Sequence, residues 1–229
     1  QVIDALVRQG KLGKLLEIRG RGKGDHRGGA EDLWVLGTHT LNLVSYFGGA
    51  PKTCSAVMLQ DGRRVTKADV VAQGAEGLGA LAGNELHARY ELESGVFATF
   101  DSIANDGTKG QAFGLVLVGS EGLVHIQIDR DPLAHFLPGN PFHPNTKPSV
   151  WQPITTGGVN QPEANPGLVG EVRHHVEGVR DLSASVEEEG RQPLCHGRAG
   201  AETVEMVCAV FESHRQNSRA VSLPLKQRE

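Results

Sequence analysis

The chain has 229 residues, 38% of them hydrophobic and 22% charged, with a formal net charge of −4. This is the composition of a globular protein with enough length to bury a sizeable core, and the mild negative charge offers no electrostatic attraction to nucleic acid or to an anionic membrane surface. No apolar run approaches the roughly 20 residues that a membrane-spanning helix needs. In chain order, "QVIDALVRQG" reads as a helix with an apolar stripe of Val2, Ile3, Leu6 and Val7, closed by Gly10. It has neither the charged leader nor the apolar core of a signal peptide, and it reads as the middle of a longer protein, cut at a domain boundary. "LLEIRGR" predicts a strand over Leu15–Arg21, followed by the glycine-rich loop "GRGKGDHRGG". A helix is expected over residues 31–47, stopped by Gly48 and Gly49.

From Lys52 the apolar period changes to two. "KTCSAVMLQD" reads as a strand, "NELHARYELESGVFATFDS" as a hairpin turning at Ser94 and Gly95, and "AFGLVLVGSEGLVHIQID" as a second hairpin turning at residues 120–122. Alternation of this kind implies antiparallel pairing with one buried and one more polar face. Residues 131–166 are dense in Pro, Gly and Asn, which predicts a long excursion with one short strand near residues 150–155. Two helices follow, with expected core stripes of Val172, Val176, Val179 and Val186, and of Ala201, Val204, Val207, Cys208 and Phe211. "AVSLPL" reads as a last strand. The fold class expected from this order is α+β: an open-faced, mostly antiparallel sheet with helices packed on one face, in a single domain spanning residues 1–229.

The candidate chemistry is sparse. "GRGKGD" lacks the third glycine of a dinucleotide fingerprint, since Asp25 stands there, and no βαβ unit surrounds it. No cofactor is therefore expected to bind this segment alone. The loop could still contact a polyhydroxylated ligand through Lys23, Asp25 and His26. The cysteines Cys54, Cys195 and Cys208 have no metal or redox spacing, and their odd number argues against a disulfide framework. His174 and His175 are adjacent and so point to different sides of their helix, and the sequence lacks HxxxH, so no metal site is expected. On the helix over residues 31–47, the positions Val35, His39, Asn42 and Tyr46 share a face at helical spacing. A histidine there, beside an asparagine, is suited to moving a proton near neutral pH.

The stretch from Gly10 to Pro51, with Gly28-Gly29 ahead of "VLGTHTLN", resembles the junction of the Gfo/Idh/MocA family of NAD(P)-dependent oxidoreductases, and "PLCHGRAGAETVEMVCAVFESHRQNSRAVSLPL" is similar to that family's closing helix and strand. The resemblance implies a substrate and oligomerisation domain whose Rossmann partner precedes Gln1. It also implies NAD or NADP in the longer parent and a small-molecule substrate of the sugar or cyclitol class. It places His39 on the family's active-site histidine. The family's aspartate four residues earlier is Val35 here, and its later aspartate is Asn42, which can hydrogen-bond but cannot act as a base at neutral pH. Asp32, about one turn before Val35, is the candidate substitute carboxylate, so the expected catalytic residues are His39 and Asp32, with Asn42, Lys23, Asp25 and His26 toward the substrate. The alternative is a noncatalytic carbohydrate-binding or assembly module of the same fold. A homo-oligomer is expected through the sheet face that the helices leave open, where Thr99, Ala98, Val116 and Val118 supply an apolar component.

Overall fold

In the computed structural model, which describes residues 1–143, 149–171 and 175–226, one large open sheet carries helices on one face. Helix α1 (Val2–Arg8) leads into β1 (Leu15–Arg21), followed by α2 (Ala30–Asp32), a π-helical turn (Leu33–Gly37) and α3 (Thr38–Gly48). Then come β2 (Pro51–Gln60), the short β3 (Arg63–Arg64), β4 (Glu85–Leu92), β5 (Phe97–Ile103), β6 (Gly114–Gly119) and β7 (Gly122–Gln127). β8 (Ala134–Pro138), β9 (Gln152–Thr155) and β10 (Gly158–Val159) precede α4 (Pro166–Glu171), α5 (Val176–Glu187), α6 (Gly197–Arg215) and β11 (Val221–Ser222). The strand order is β10-β9-β8-β7-β6-β1-β5-β4-β2-β11, with β3 on β2. Every pairing is antiparallel except β1 with β5.

The helix-facing side is apolar because the strands alternate. Ile18, Ala88, Tyr90, Ala98, Phe100, Leu115 and Leu117 turn inward and are buried against Leu41 and Val44 of α3 and Met206 and Val210 of α6. Tyr90 completes this packing by donating its hydroxyl to the Met206 carbonyl at 3.0 Å, so a fully buried polar atom keeps a partner. α6 also covers a gap in the edge of β2, between the short β3 and β11. Ser213 Oγ accepts the Ala56 N–H at 2.8 Å, and His214 Nδ1 accepts the Met58 N–H at 3.1 Å. Backbone donors that would otherwise template another strand are thereby satisfied within the chain.

Four features depart from the sequence reading. The stretch over residues 131–166 is not mainly excursion: β8, β9 and β10 extend the sheet by three strands. The helix over residues 31–47 is present and continuous, but it contains a π turn over Leu33–Gly37, where Gly37 lies close to Phe100, whose Cζ is 2.8 Å from where a Cβ would stand. The buried face of α6 is Thr203, Met206, Val207 and Val210, and Val204 is 45% exposed, so the expected stripe was rotated. Finally, α5 buries none of its side chains, with Val179, Leu182 and Val186 exposed, so that stripe does not pack on the sheet. Val172 and His174 lie outside the described residues.

The open face is more charged than the strand pattern suggested. Ala98 turns inward and is buried, and Val118 is only 2% exposed. One row across this face reads Ser55, Arg89, Thr99, Arg19, Val116, His125 and His135. In the neighbouring row His87 is held between Asp101, at 2.6 Å from Nδ1, and Glu85, at 2.8 Å from Nε2. The Arg89 guanidinium covers the Phe97 ring at 4.1 Å.

Candidate functional site

The loop after β1 is shaped by two aspartates rather than by a phosphate. Asp32 is fully buried, and its Oδ2 accepts the Ser102 hydroxyl at 2.5 Å and the Lys23 N–H at 3.2 Å. Ser102 Oγ in turn accepts the Gly29 N–H at 3.0 Å. Burial pushes the Asp32 carboxyl above its ordinary range, and these two bonds offset only part of that. A Cβ at Gly22 would overlap the Asp32 carboxylate, and one at Gly24, where φ is +71°, would overlap Asp106. The glycines let the backbone close over these carboxylates.

The cationic residues around this loop are each held by an aspartate. Lys23 Nζ lies 2.8 Å from Asp129, Arg21 lies 2.7 Å from Asp106, and Arg27 lies 2.6 Å from Asp25. The hydrogen bond from Arg27 holds the Asp25 carboxyl down to about 2, burial opposing it. His26 is exposed.

His39 stands exposed in the first turn of α3. Together with Thr38, Asn42 and Leu43 it lines an open hollow of about 470 Å³, bordered by Thr203 and Val204 of α6, by Cys195 and Gly200, and by Ile128 just past β7. Asn42 donates to Thr203 Oγ1 at 3.3 Å, and Thr203 donates to the Ala199 carbonyl at 2.9 Å, so the asparagine is oriented from the neighbouring helix. Imidazole, amide, hydroxyl and thiol groups therefore converge on one opening with apolar walls. The chemistry within reach is hydrogen bonding to hydroxyl groups, plus one proton-transfer group.

The structure brings His39 and Asn42 together, and it separates them from Asp32, Asp25 and His26, none of which lines this cavity. Lys23 reaches it only indirectly, through Asp129, the neighbour of Ile128. Among the described residues, no carboxylate lines the cavity. Thr203, Cys195 and Ile128 were not found from the sequence. They come from elements up to about 160 residues from His39, and no local period links them. Among the described residues no group of His, Cys, Asp and Glu is placed to hold a metal ion, and no helix is long and apolar enough to cross a membrane.

Residues 5–223 match the oxidoreductase family, C-terminal alpha/beta domain (GFO_IDH_MocA_C). The chain belongs to this family. Solved structures share the fold at low identity. A levoglucosan dehydrogenase in complex with NADH and L-sorbose superposes with a TM-score of 0.70 at 14% identity, over 97% of this chain and 62% of that one. The oxidoreductase domain protein from Kribbella flavida gives 0.65 at 16% identity, over 96% and 62%. The WlbA dehydrogenase from Bordetella pertussis, in complex with NADH and UDP-GlcNAcA, gives 0.56 at 13% identity, over 99% and 60%. This chain thus spans about three fifths of the length of these family-fold proteins. No curated protein matches the sequence.

Proposed function

We propose that this chain, as a single domain, is the substrate-binding part of an NAD- or NADP-dependent oxidoreductase that moves a hydride between a sugar or cyclitol hydroxyl and a nicotinamide. The observation that carries this reading is the cavity in which His39 and Asn42 converge, within a chain that belongs to an oxidoreductase C-terminal family. Two of the structural neighbours are complexes with NADH and a sugar or sugar nucleotide, which supports the substrate class and the cofactor.

The described residues do not themselves fit a dinucleotide. The parallel pair β1 and β5 is not joined by a βαβ crossover opening on a glycine turn, and the glycines of the β1 loop face Asp32 and Asp106. The nicotinamide belongs on a domain outside this chain, where it would supply the hydride acceptor. Here the work is positional. Asn42 and Thr203 offer hydrogen bonds to neighbouring hydroxyls, and His39 accepts the proton of the reacting hydroxyl as its carbon is oxidised. Asp32 serves as a buried fastener for the loop and for Ser102, upstream of the chemistry. Lys23, paired with Asp129, borders the substrate side, while Asp25 is committed to Arg27.

The test uses the longer protein that carries the dinucleotide-binding domain. There, His39→Ala lowers kcat by about a hundredfold, the usual scale for an acid–base group, while NADH affinity is unchanged. Near-normal turnover of a folded His39→Ala enzyme overturns the reading. One observation favours a second reading, a noncatalytic carbohydrate-binding module: the lining of the cavity has no carboxylate, and Val35 stands where the family carries one. Saturable sugar binding with no turnover of either nicotinamide cofactor would select that alternative. In either case we propose self-association through the open sheet face.

A further inference from the structure

A second cavity, of about 440 Å³, lies at the far end of α6 from the His39 site. One wall is Phe211, His214 and Arg215 of α6, another is Met58 of β2, and the third is the segment that follows β3, from Val65 to Ala82. That segment is tied into shape. Val71 and Leu81 exchange both backbone hydrogen bonds, at 2.9 and 3.1 Å, and Asp69 accepts from the Thr66 N–H at 2.7 Å and from the Thr66 hydroxyl at 2.8 Å. His214 joins two walls by accepting the Met58 N–H and donating Nε2–H to the Val65 carbonyl at 3.1 Å. These walls are therefore hydrogen-bonded to one another and to the rest of the fold.

Its lining is divided by chemistry. Val65, Val70, Leu81, Met58 and Phe211 give an apolar floor, and Val70 remains 48% exposed at the mouth. The lining also carries three cations, Arg64, Lys67 and Arg215, and no carboxylate. Arg215 is within 3.4 Å of Glu212, whereas Arg64 bonds only the Ser218 hydroxyl, at 3.1 Å, and neither Arg64 nor Lys67 has a carboxylate partner among the described residues. Two cations without a carboxylate partner among the described residues thus stand beside an apolar hollow. The hollow has the volume of a small-molecule site.

We propose that this cavity binds a small amphipathic organic anion, its apolar body on Phe211, Leu81 and Val65 and its carboxylate or phosphate head between Arg64 and Lys67. The site is separate from the His39 cavity and shares none of its lining. Phe211 also stacks on Trp34, with ring centroids 6.3 Å apart, so an occupant against Phe211 is reported by the fluorescence of that indole.

The test is calorimetric titration of the full chain with decanoate, decyl phosphate and 1-decanol, with tryptophan fluorescence followed in parallel. The expected result is saturable binding of either anion, with a fluorescence change that the Trp34→Phe variant abolishes. The neutral alcohol should bind at least about tenfold more weakly, as should decanoate to the double variant Arg64→Ala, Lys67→Ala, on the scale of one lost charge-assisted hydrogen bond. Ala80→Trp, which fills the mouth, should also remove binding. Because Arg64, Lys67 and Ala80 are exposed, these variants keep the fold. Equal affinity for decanoate and decanol, unchanged affinity in the double variant, or no saturation up to millimolar ligand would overturn the proposal.

Discussion

Asp32, Thr40 and His87 show how far a single side chain can depart from the role its type suggests. Asp32 has the chemistry of a proton donor but the surroundings of a fastener. Asp32→Ala strands the Ser102 hydroxyl and the Lys23 N–H and should cost roughly 2 kcal/mol of stability, measured by urea unfolding. Thr40 of α3 is the reverse case, since its hydroxyl is buried and has no partner among the described residues. Thr40→Val keeps the shape, removes that burden and should stabilise by about 1 kcal/mol, with a higher Tm. His87 is held between Glu85 and Asp101. Burial acts against its charge, but the two carboxylates prevail and raise its pKa above the ordinary 6.5. A raised histidine pKa favours the folded state while the ring is protonated, so this contribution is complete below about pH 6.5 and is lost as the pH climbs through the folded value. His87→Gln should therefore lower Tm at pH 5.5 and have a smaller effect at pH 8.5. An equal loss at both values would mean that the charge has no part in it.

At the scale of elements, α5 and α6 make opposite use of the same kind of apolar stripe. The stripe of α5 is exposed, with Val186 81% accessible, whereas Met206 of α6 is fully buried. Val186→Lys should leave the unfolding free energy within about 0.5 kcal/mol of the parent, and Met206→Ala should cost about 2–5 kcal/mol. Equilibrium denaturation of the two variants checks the contrast, and similar losses would place α5 in the core. The periodicity of α5 was legible in the sequence, but its partner was not. A stripe records that a face is apolar and says nothing about what covers it. The same limit explains α6, whose buried face is set by how α3 and β2 seat it, with Thr203 and Ser213 turned inward to bond Asn42 and Ala56.

On the scale of the whole molecule, the sheet places the His39 cavity and the Phe211 cavity at opposite ends of α6 and leaves one broad face open. That face bears ion pairs and histidines, so the proposed self-association would be polar and sensitive to salt. Light scattering at micromolar concentration should show a dimer or larger species that dissociates as ionic strength rises, and a monomer at low salt would rule this out. Two residues show why the face was misjudged. Thr99 takes the open side, so its neighbour Ala98 must turn inward, while Val118 lies on the Val116 side but is covered there.

What the sequence determined by itself is local and periodic. The strand Leu15–Arg21, the two hairpins, and the α+β class with an open antiparallel sheet follow from alternation and turn residues, which depend only on neighbours a few positions apart. His39 and Asn42 were legible for the same reason, being three residues apart on one helix face. Only the tertiary structure decided the rest. It buried Asp32 against Ser102, 70 residues away, brought Thr203, Cys195 and Ile128 to His39, and turned a proline-rich stretch into three further strands at one end of the sheet. Each of these rests on contacts between distant segments, and their energy comes from burial and from satisfied polar groups, which no window along the chain contains.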